Sequence, residues 1–428
     1  MASLDLSAKS TPAQTVSETA RDLDPLFQRM LAVPLDINAT LQFAVNATQA
    51  GDIESSISTY ERLLFYNPTL SRVRYELGVL YFRLGSYEMA RGYFQTALQM
   101  PDISPDIRQN AEAFLAAANK KLQPDQFSGF AQTGLRYQTN ANAGPGSQAV
   151  LASGRTFDSR FRAQSDWNWF GTFGVNYVHD FGNQRGDTFE ASVLGYDAQQ
   201  FKLKQDDIGF VELRAGPRIV LFPDGASGAS FKPYLVATGT LLAEVPYSGS
   251  VGGGATIHVN AGVAALDPFV EVVQQGYRGS SFYPLAGGLS GTLVTAGLQA
   301  AGPIGPQLFW QSRLTLSHDD AVFDPYGYNS FGADLWFPWT FSIWGDGSTF
   351  TLAPTAGVTF WDYKAPDIAI DPLTVPRNLE WRLGLGLDVP IWNRFALGLL
   401  VQYRNVSSNI PAFSMHDLSI SAGPAIKF

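Results

Sequence analysis

From Phe127 to the C-terminus, apolar side chains recur at every second position in segments of about 11–15 residues, and few folds accept that pattern at that length. The last segment is the clearest. Leu418, Ile420, Ala422, Pro424, Ile426 and Phe428 fall on one face, and Asp417, Ser419, Ser421, Gly423, Ala425 and Lys427 on the other. The preceding segment sets Phe395, Leu397, Leu399, Val401 and Tyr403 to one side. The one before it opposes Leu379, Trp381, Leu383, Leu385, Leu387, Val389 and Ile391 to Glu380, Arg382, Gly384, Gly386 and Asp388. Charges on one face and leucines on the other suit a strand with lipid outside and water inside. A soluble sandwich also alternates, but its strands usually run about 5–6 residues.

Composition agrees. Charged residues are 16% and aromatics 13%, with 41 Gly and no Cys. The absence of Cys excludes disulfide frameworks and thiolate metal sites. A net charge of -9 argues against a nucleic-acid partner, since little basic charge is free to neutralise phosphates. No apolar run reaches the roughly 18 residues that a membrane-spanning helix needs, so strands are the remaining way across a bilayer. Residues 1–20 are polar, without a basic start or an apolar stretch, so an exported chain would need a leader in its precursor. The expectation is a mature chain with an added Met, or a start assigned too late.

Fourteen strands are predicted, near 128–137, 161–181, 187–203, 207–222, 231–244, 252–265, 268–278, 289–302, 307–320, 328–342, 348–363, 378–391, 393–406 and 415–428. Short connections (182–186, 301–305, 345–347, 392–393) alternate with long ones (138–160, 279–288, 321–327, 364–377). Short periplasmic turns and long extracellular loops are the barrel habit, and an even count returns Phe428 to the side where the first strand began. Phe309, Trp310, Trp336, Phe337, Trp339, Trp344 and Trp392 gather at the short turns, and Trp361, Trp381, Tyr196 and Tyr403 near the long loops. Two interfacial belts are expected, against the plainer reading that aromatics suit strands. Phe428 closes an unbroken alternation, the kind of end that the barrel-assembly machinery recognises.

Before the composition change at 122–127 the apolar spacing is helical, with a 34-residue period over 36–69 and 70–103. Phe43, Ala44, Ala47, Gly51, Ser56, Tyr60, Leu63 and Pro68 mark the first copy. Leu77, Gly78, Tyr81, Gly85, Ala90, Phe94 and Ala97 mark the second, and Pro101 falls one residue early. A capping helix is predicted from Ser104 as N-cap and Pro105 at N1, and another helix over 12–33. The fold class is thus α+β multidomain: a helical repeat unit over 1–123, then a 14-stranded antiparallel transmembrane barrel over 127–428.

Candidate site residues follow from these faces. In the repeats, the groove positions are Leu41, Val45, Thr48 and Gln49, then Arg72, Tyr75, Val79, Phe82 and Arg83. They form a client-binding face unless the N-terminal helix covers them. In the lumen, Glu212, Arg214, Arg218, Arg313, Glu380, Arg382, Asp388 and Arg404 face inward. They either pair across and narrow the lumen or line a wet passage. His318, Asp319, Asp320 and Asp324, with His416 and Asp417, offer cation-ligand chemistry at the rim, but solvated charge is the plainer reading and no metal or other cofactor is assigned. His258 is expected to face the lumen beside Thr256 and Asn260, as a satisfied polar contact rather than a functional residue. No Gly-x-Ser-x-Gly, Walker or HExxH pattern occurs, and no catalytic residue is assigned.

The arrangement resembles the surface lipoprotein assembly modifiers, which join a short tetratricopeptide domain to a fourteen-stranded barrel. The resemblance covers nearly the whole chain. It is carried by Val73-Arg-Tyr-Glu-Leu77, Tyr87-Glu-Met-Ala90 with Phe94, and Tyr137-Gln-Thr-Asn140-Ala-Asn142-Ala-Gly-Pro145. The last is similar to the family's Asp-x-Asn-x-Asn run, although Gln138 stands where an acid is usual. The resemblance implies an outer-membrane protein that helps lipoproteins or haem-binding secreted clients across, with its repeats binding client or chaperone in the periplasm. Its other partners would be the assembly machinery and outer-membrane lipid. A polysaccharide-export pore, typically with more repeats and sixteen strands, and a passive porin are the alternatives.

Overall fold

The computed structural model describes residues 27–28, 36–146, 161–222, 228–343, 348–392 and 394–428. The chain divides into two compact units, Met1–Gln123 and Pro124–Phe428. The helix predicted over 12–33 lies outside the described residues except for Phe27 and Gln28, which are helical; the Phe27 ring packs 5.6 Å from Phe43.

Besides Phe27 and Gln28, the described residues of the first unit form five helices: α1 (Ile37–Ala50), α2 (Ile53–Tyr66), α3 (Ser71–Arg83), α4 (Tyr87–Leu98) and α5 (Pro105–Lys121). Asp36, Asp52 and Ser104 accept from the amides of Ala39, Ser55 and Ile107, supplying partners to otherwise orphaned helix-start donors. Gly51 and Gly85, one repeat apart, both turn into left-handed backbone at φ 84° and 76°, which glycine adopts at no steric cost. Close packing fixes the second pair: a methyl at Gly78 would lie 2.6 Å from the Phe94 ring. Phe94, Leu77, Ala90 and Ala97 are fully buried.

The second unit is a closed antiparallel barrel of fourteen strands. They are β1 (Asp125–Gln138), β2 (Asp166–Asp180), β3 (Thr188–Gln200), β4 (Ile208–Val220), β5 (Ser230–Leu242), β6 (Val245–Asn260), β7 (Ala265–Tyr277), β8 (Gly291–Pro303), β9 (Phe309–Ala321), β10 (Tyr328–Trp336), β12 (Phe350–Tyr363), β13 (Arg377–Trp392), β14 (Phe395–Ser408) and β15 (Met415–Lys427). The short β11 (Trp339–Phe341) prolongs β10 past a break at Phe337-Pro338 and pairs with the same neighbour, β12. β1 pairs with β15, closing the ring.

The prediction misplaces one strand noticeably. β6 starts at Val245, not near 252, because Ala243 and Glu244 make a two-residue turn with φ of 51° and 64°. Such turns normally announce themselves with Asn or Gly, and this one does not. It also breaks the loop-length rule, since a tight turn here sits at the end that carries the long connections.

Register sorts the side chains into two faces. Asp267, Gln299, Arg313, Asp334, Gly357, Arg382, Arg404 and Asp417 stand side by side in one row across eight strands. The neighbouring row, one residue along, reads Leu298, Leu314, Ala333, Val358 and Trp381. The apolar face is the exposed one: Leu235 is 73% accessible and Val251 65%, whereas Glu380 is 3%. An apolar exterior and a charged interior in a closed barrel is an outer-membrane architecture, because closure satisfies every strand edge inside hydrocarbon.

Candidate functional site

The lumen wall is an ion-pair lattice, built within strands and across one to three strand spacings. On β3–β7, Arg214 bridges Glu212 and Glu271, each at 2.7 Å, while its guanidinium lies 5.3 Å over Tyr234, whose hydroxyl donates to Glu271. Glu190 takes both Arg218 (2.7 Å) and Lys232 (2.5 Å). On β10–β14, Glu380 takes Arg382 and Arg404, and Arg382 also reaches Asp334 at 2.7 Å. Asp388 holds Lys427 at 3.1 Å. The lumen residues read from the sequence therefore converge on one face, and they pair along the wall rather than across the cavity.

Arg313 is the exception. Asp334 stands directly opposite it on β10, yet turns the other way to Arg382. Gly357 lies between Asp334 and Arg382, and a methyl there would strike the Asp334 carboxylate. The glycine opens the path that takes the acid from Arg313. Among the described residues no carboxylate pairs with Arg313; it lies 5.2 Å over Phe269, and its Nε is buried without a hydrogen-bond partner. It lines a hollow with Asp267, Gln299, Gln311 and Trp336. Arg136, not singled out by the sequence, is a second cation held by neutral groups: Asn168 Oδ1 at 3.2 Å, the Tyr196 hydroxyl, and the Phe170 ring.

The helical groove is corrected by the structure. Val79 is 9% exposed, and Tyr75 and Phe82 pack with it under α5. Their rings lie 6.2 and 5.5 Å from Phe114. The C-terminal cap covers these positions, a possibility weighed above only for the N-terminal helix. Leu41 packs against the first core cluster, and Thr48 bonds the Ser56 hydroxyl. Val45, Gln49, Arg72 and Arg83 remain exposed. The two arginines flank Glu76, whose carboxyl is pushed up by burial and drawn back by their charges. Tyr81 and Tyr93 stack at 5.4 Å, and both donate to Glu61. Burial and the Glu61 carboxylate push the Tyr81 hydroxyl up to about 12. Neither Glu76 nor Glu61 carried a sequence signal, since both read as ordinary helix-surface charge.

Of the rim histidines, His318 is committed elsewhere. His318 Nδ1 lies 2.8 Å from Asn329, Asp320 binds Lys364, and Asp319 turns to the lumen face. Asp417 accepts from Gln138, Thr139 and the Asn140 amide, and His258, on the lumen face with Thr256, makes its polar contact with Asp267 at 2.7 Å. Gln138, Asn140 and Asn142 serve as loop scaffold: Asn140 donates to Gly144 and His416 carbonyls, and Asn142 to that of Arg162. The belt reading needs amendment. Trp381–Tyr403 and Tyr137–Trp167 pair on the lipid face at 5.2 Å, but register turns Trp336, Trp361 and Tyr196 into the lumen. Trp344 lies outside the described residues. Phe428 exchanges backbone hydrogen bonds with Gly129, so the C-terminal residue completes the ring.

No protein-family model and no curated protein matches the chain. Among solved structures it is similar to an anion-selective porin from Comamonas acidovorans, with 11% identity over 71% of this chain and 99% of that one, at a TM-score of 0.36. The outer-membrane channel DcaP of Acinetobacter baumannii gives 9% identity, coverage of 71% and 97%, and 0.39. A bacterial polysaccharide outer-membrane secretin gives 11%, 70% and 98%, and 0.33. The architecture rests on the register and the two faces described above: a closed barrel of outer-membrane type, preceded among the described residues by the helices α1–α5.

Proposed function

We propose that the barrel assists passage or surface display of polypeptide clients, lipoproteins or related secreted proteins, and that the helical unit binds client or chaperone on the periplasmic side. The observation that carries this reading is a lumen wall whose charges are mostly paired, in one chain with a helical unit. A wall most of whose cations, Arg136 and Arg313 apart, are held by nearby acids presents no dominant sign, which suits a chain of mixed charge better than a small ion of one sign. The even strand count brings the start of β1 and Phe428 to the same barrel end. Arg72, Arg83 and Val45 are the exposed positions left for client contact. Deleting the gene should remove one or more surface-exposed proteins, read by proteolysis of intact cells. An unchanged surface proteome would sink the idea.

A second reading is favoured by one observation. Trp336, Gln299, Gln311 and Asp267 around Arg313 form an aromatic and amide-lined hollow in the lumen, a lining that suits hydroxyl-rich rings such as saccharides. Steady conductance in a planar bilayer that sugar oligomers block would move the assignment to a saccharide pore.

A further inference from the structure

The junction that closes the barrel is its most sparsely paired. β1 and β15 share seven paired positions, against fourteen for β1–β2 and twelve for β14–β15. Pairing runs from Phe130↔Lys427 to Gln132↔Ala425, stops, and resumes at Leu135↔Ala422 without a shift of register. The gap holds Thr133, Gly134, Gly423 and Pro424. Gly129 and Phe428 exchange both backbone hydrogen bonds, so residues four apart from Phe428 present their backbone groups to β1 in the same way. Pro424 is such a residue and has no N–H to give. Proline at such a position belongs to a free sheet edge. Methyl groups at Gly134 or Gly423 would strike the facing backbone, so nothing but main chain fills the middle of the seam.

Similar gaps near Pro217, Pro233 and Pro268 interrupt β4–β5 and β6–β7. Those strands are consecutive in the chain, tied by their connection. β1 and β15 are the two ends of the barrel, and their separation drags no turn with it.

On the lipid face the gap lies under a hollow lined by Leu135, Trp167, Trp169, Ile420 and Pro424, with Gly134 and Gly423 in its floor. Trp167 and Trp169 stand about half exposed beside it. The hollow is continuous with the lipid-facing band, an interface whose other side is hydrocarbon, so the chemistry that fits it is an acyl chain. We propose that this seam seats the acyl anchor of a lipidated client and parts there, leaving the anchor in the membrane while the polypeptide occupies the lumen. This rests on the client-passage reading. Taking the anchor through the polar lumen would instead expose every methylene to water.

The chain has no native Cys, so a staple is clean. Gln132 and Ala425 face each other in the lumen as a close, non-hydrogen-bonded pair. Gln132→Cys/Ala425→Cys would lock the seam, and Asn176→Cys/Ser192→Cys would lock β2 to β3 as a control. The probe is a synthetic triacylated, biotinylated cysteinyl peptide in liposomes carrying the full chain, with transfer read by streptavidin access. Heat-modifiable gel mobility confirms folding of each variant. Oxidising the seam staple should cut transfer at least tenfold, to the protein-free level, and reduction should restore it. The control staple should leave transfer within twofold. Equal transfer with the seam oxidised, or equal loss with the control staple, overturns the seam while client passage stands. No transfer by the native chain overturns both.

Discussion

The two units solve opposite burial problems. In the helical unit Phe94, Leu77 and Leu80 are sealed from solvent, and the charges of Glu88, Arg91 and Lys120 lie outside. In the barrel the order is inverted. Leu235, Val251 and Leu316 are the exposed residues, and Glu380 and Asp334 lie within. The difference teaches that burial in this chain must be read against the local solvent. Water surrounds the first unit, so apolar area removed from it stabilises the fold. Hydrocarbon surrounds the second, where the sheet is held by closed hydrogen-bonding and the inward charges must be paired.

The contrast can be broken at matched large residues. Phe94→Ala should destabilise the helical unit by about 3–5 kcal/mol, read by urea unfolding of the full chain followed by helical CD. Leu235→Ala should leave barrel heat-modifiability unchanged, because lipid fills the space; a loss equal to that of Phe94→Ala would refute the assignment of faces. Inverting the charge logic comes next. Glu380→Gln leaves Arg382 and Arg404 beside a neutral group in the wall, and breaking such a pair costs about 3–5 kcal/mol where burial is complete, less here because Arg404 is 44% exposed. Heat-modifiable gel mobility should shift to a lower temperature.

Leu235→Arg sharpens the lipid face. A cation there should cost about 2–4 kcal/mol if Leu235 lies near the bilayer midplane, and less toward the interfaces. Gly78→Ala tests close helix packing and should cost about 1–3 kcal/mol, since the Phe94 ring has to move. The smallest effect is a pH effect. Burial raises the Glu76 carboxyl in the folded state above its unfolded value, so the folded state holds that proton more tightly. The helical unit should therefore gain stability as pH falls from neutral through the raised folded value toward the ordinary carboxylate range. Glu76→Gln should raise Tm at pH 7 and flatten that dependence; a Tm lowered by the substitution would count against it.

The sequence by itself determined most of the fold. Period-two alternation separated Leu379, Trp381 and Leu383 from Glu380 and Arg382, because a strand has only two faces and one was incompatible with lipid. Small residues at fixed spacing announced the helix pairs that Phe94 and Gly78 complete. Inward charge was legible for the same reason. What remained for tertiary structure was which charge met which. Pairing depends on neighbours brought together across strands, so Asp334 turning past Gly357 to Arg382, and the stranding of Arg313, had no local signature. The helical groove failed similarly. Tyr75, Val79 and Phe82 have the spacing of an open face, but α5, beginning more than twenty residues beyond Phe82, lies across it. The last strand shows the division most plainly. Alternation ending in Phe428 was written in the chain, but only the closed ring set Pro424 against β1 and left a gap where the barrel shuts.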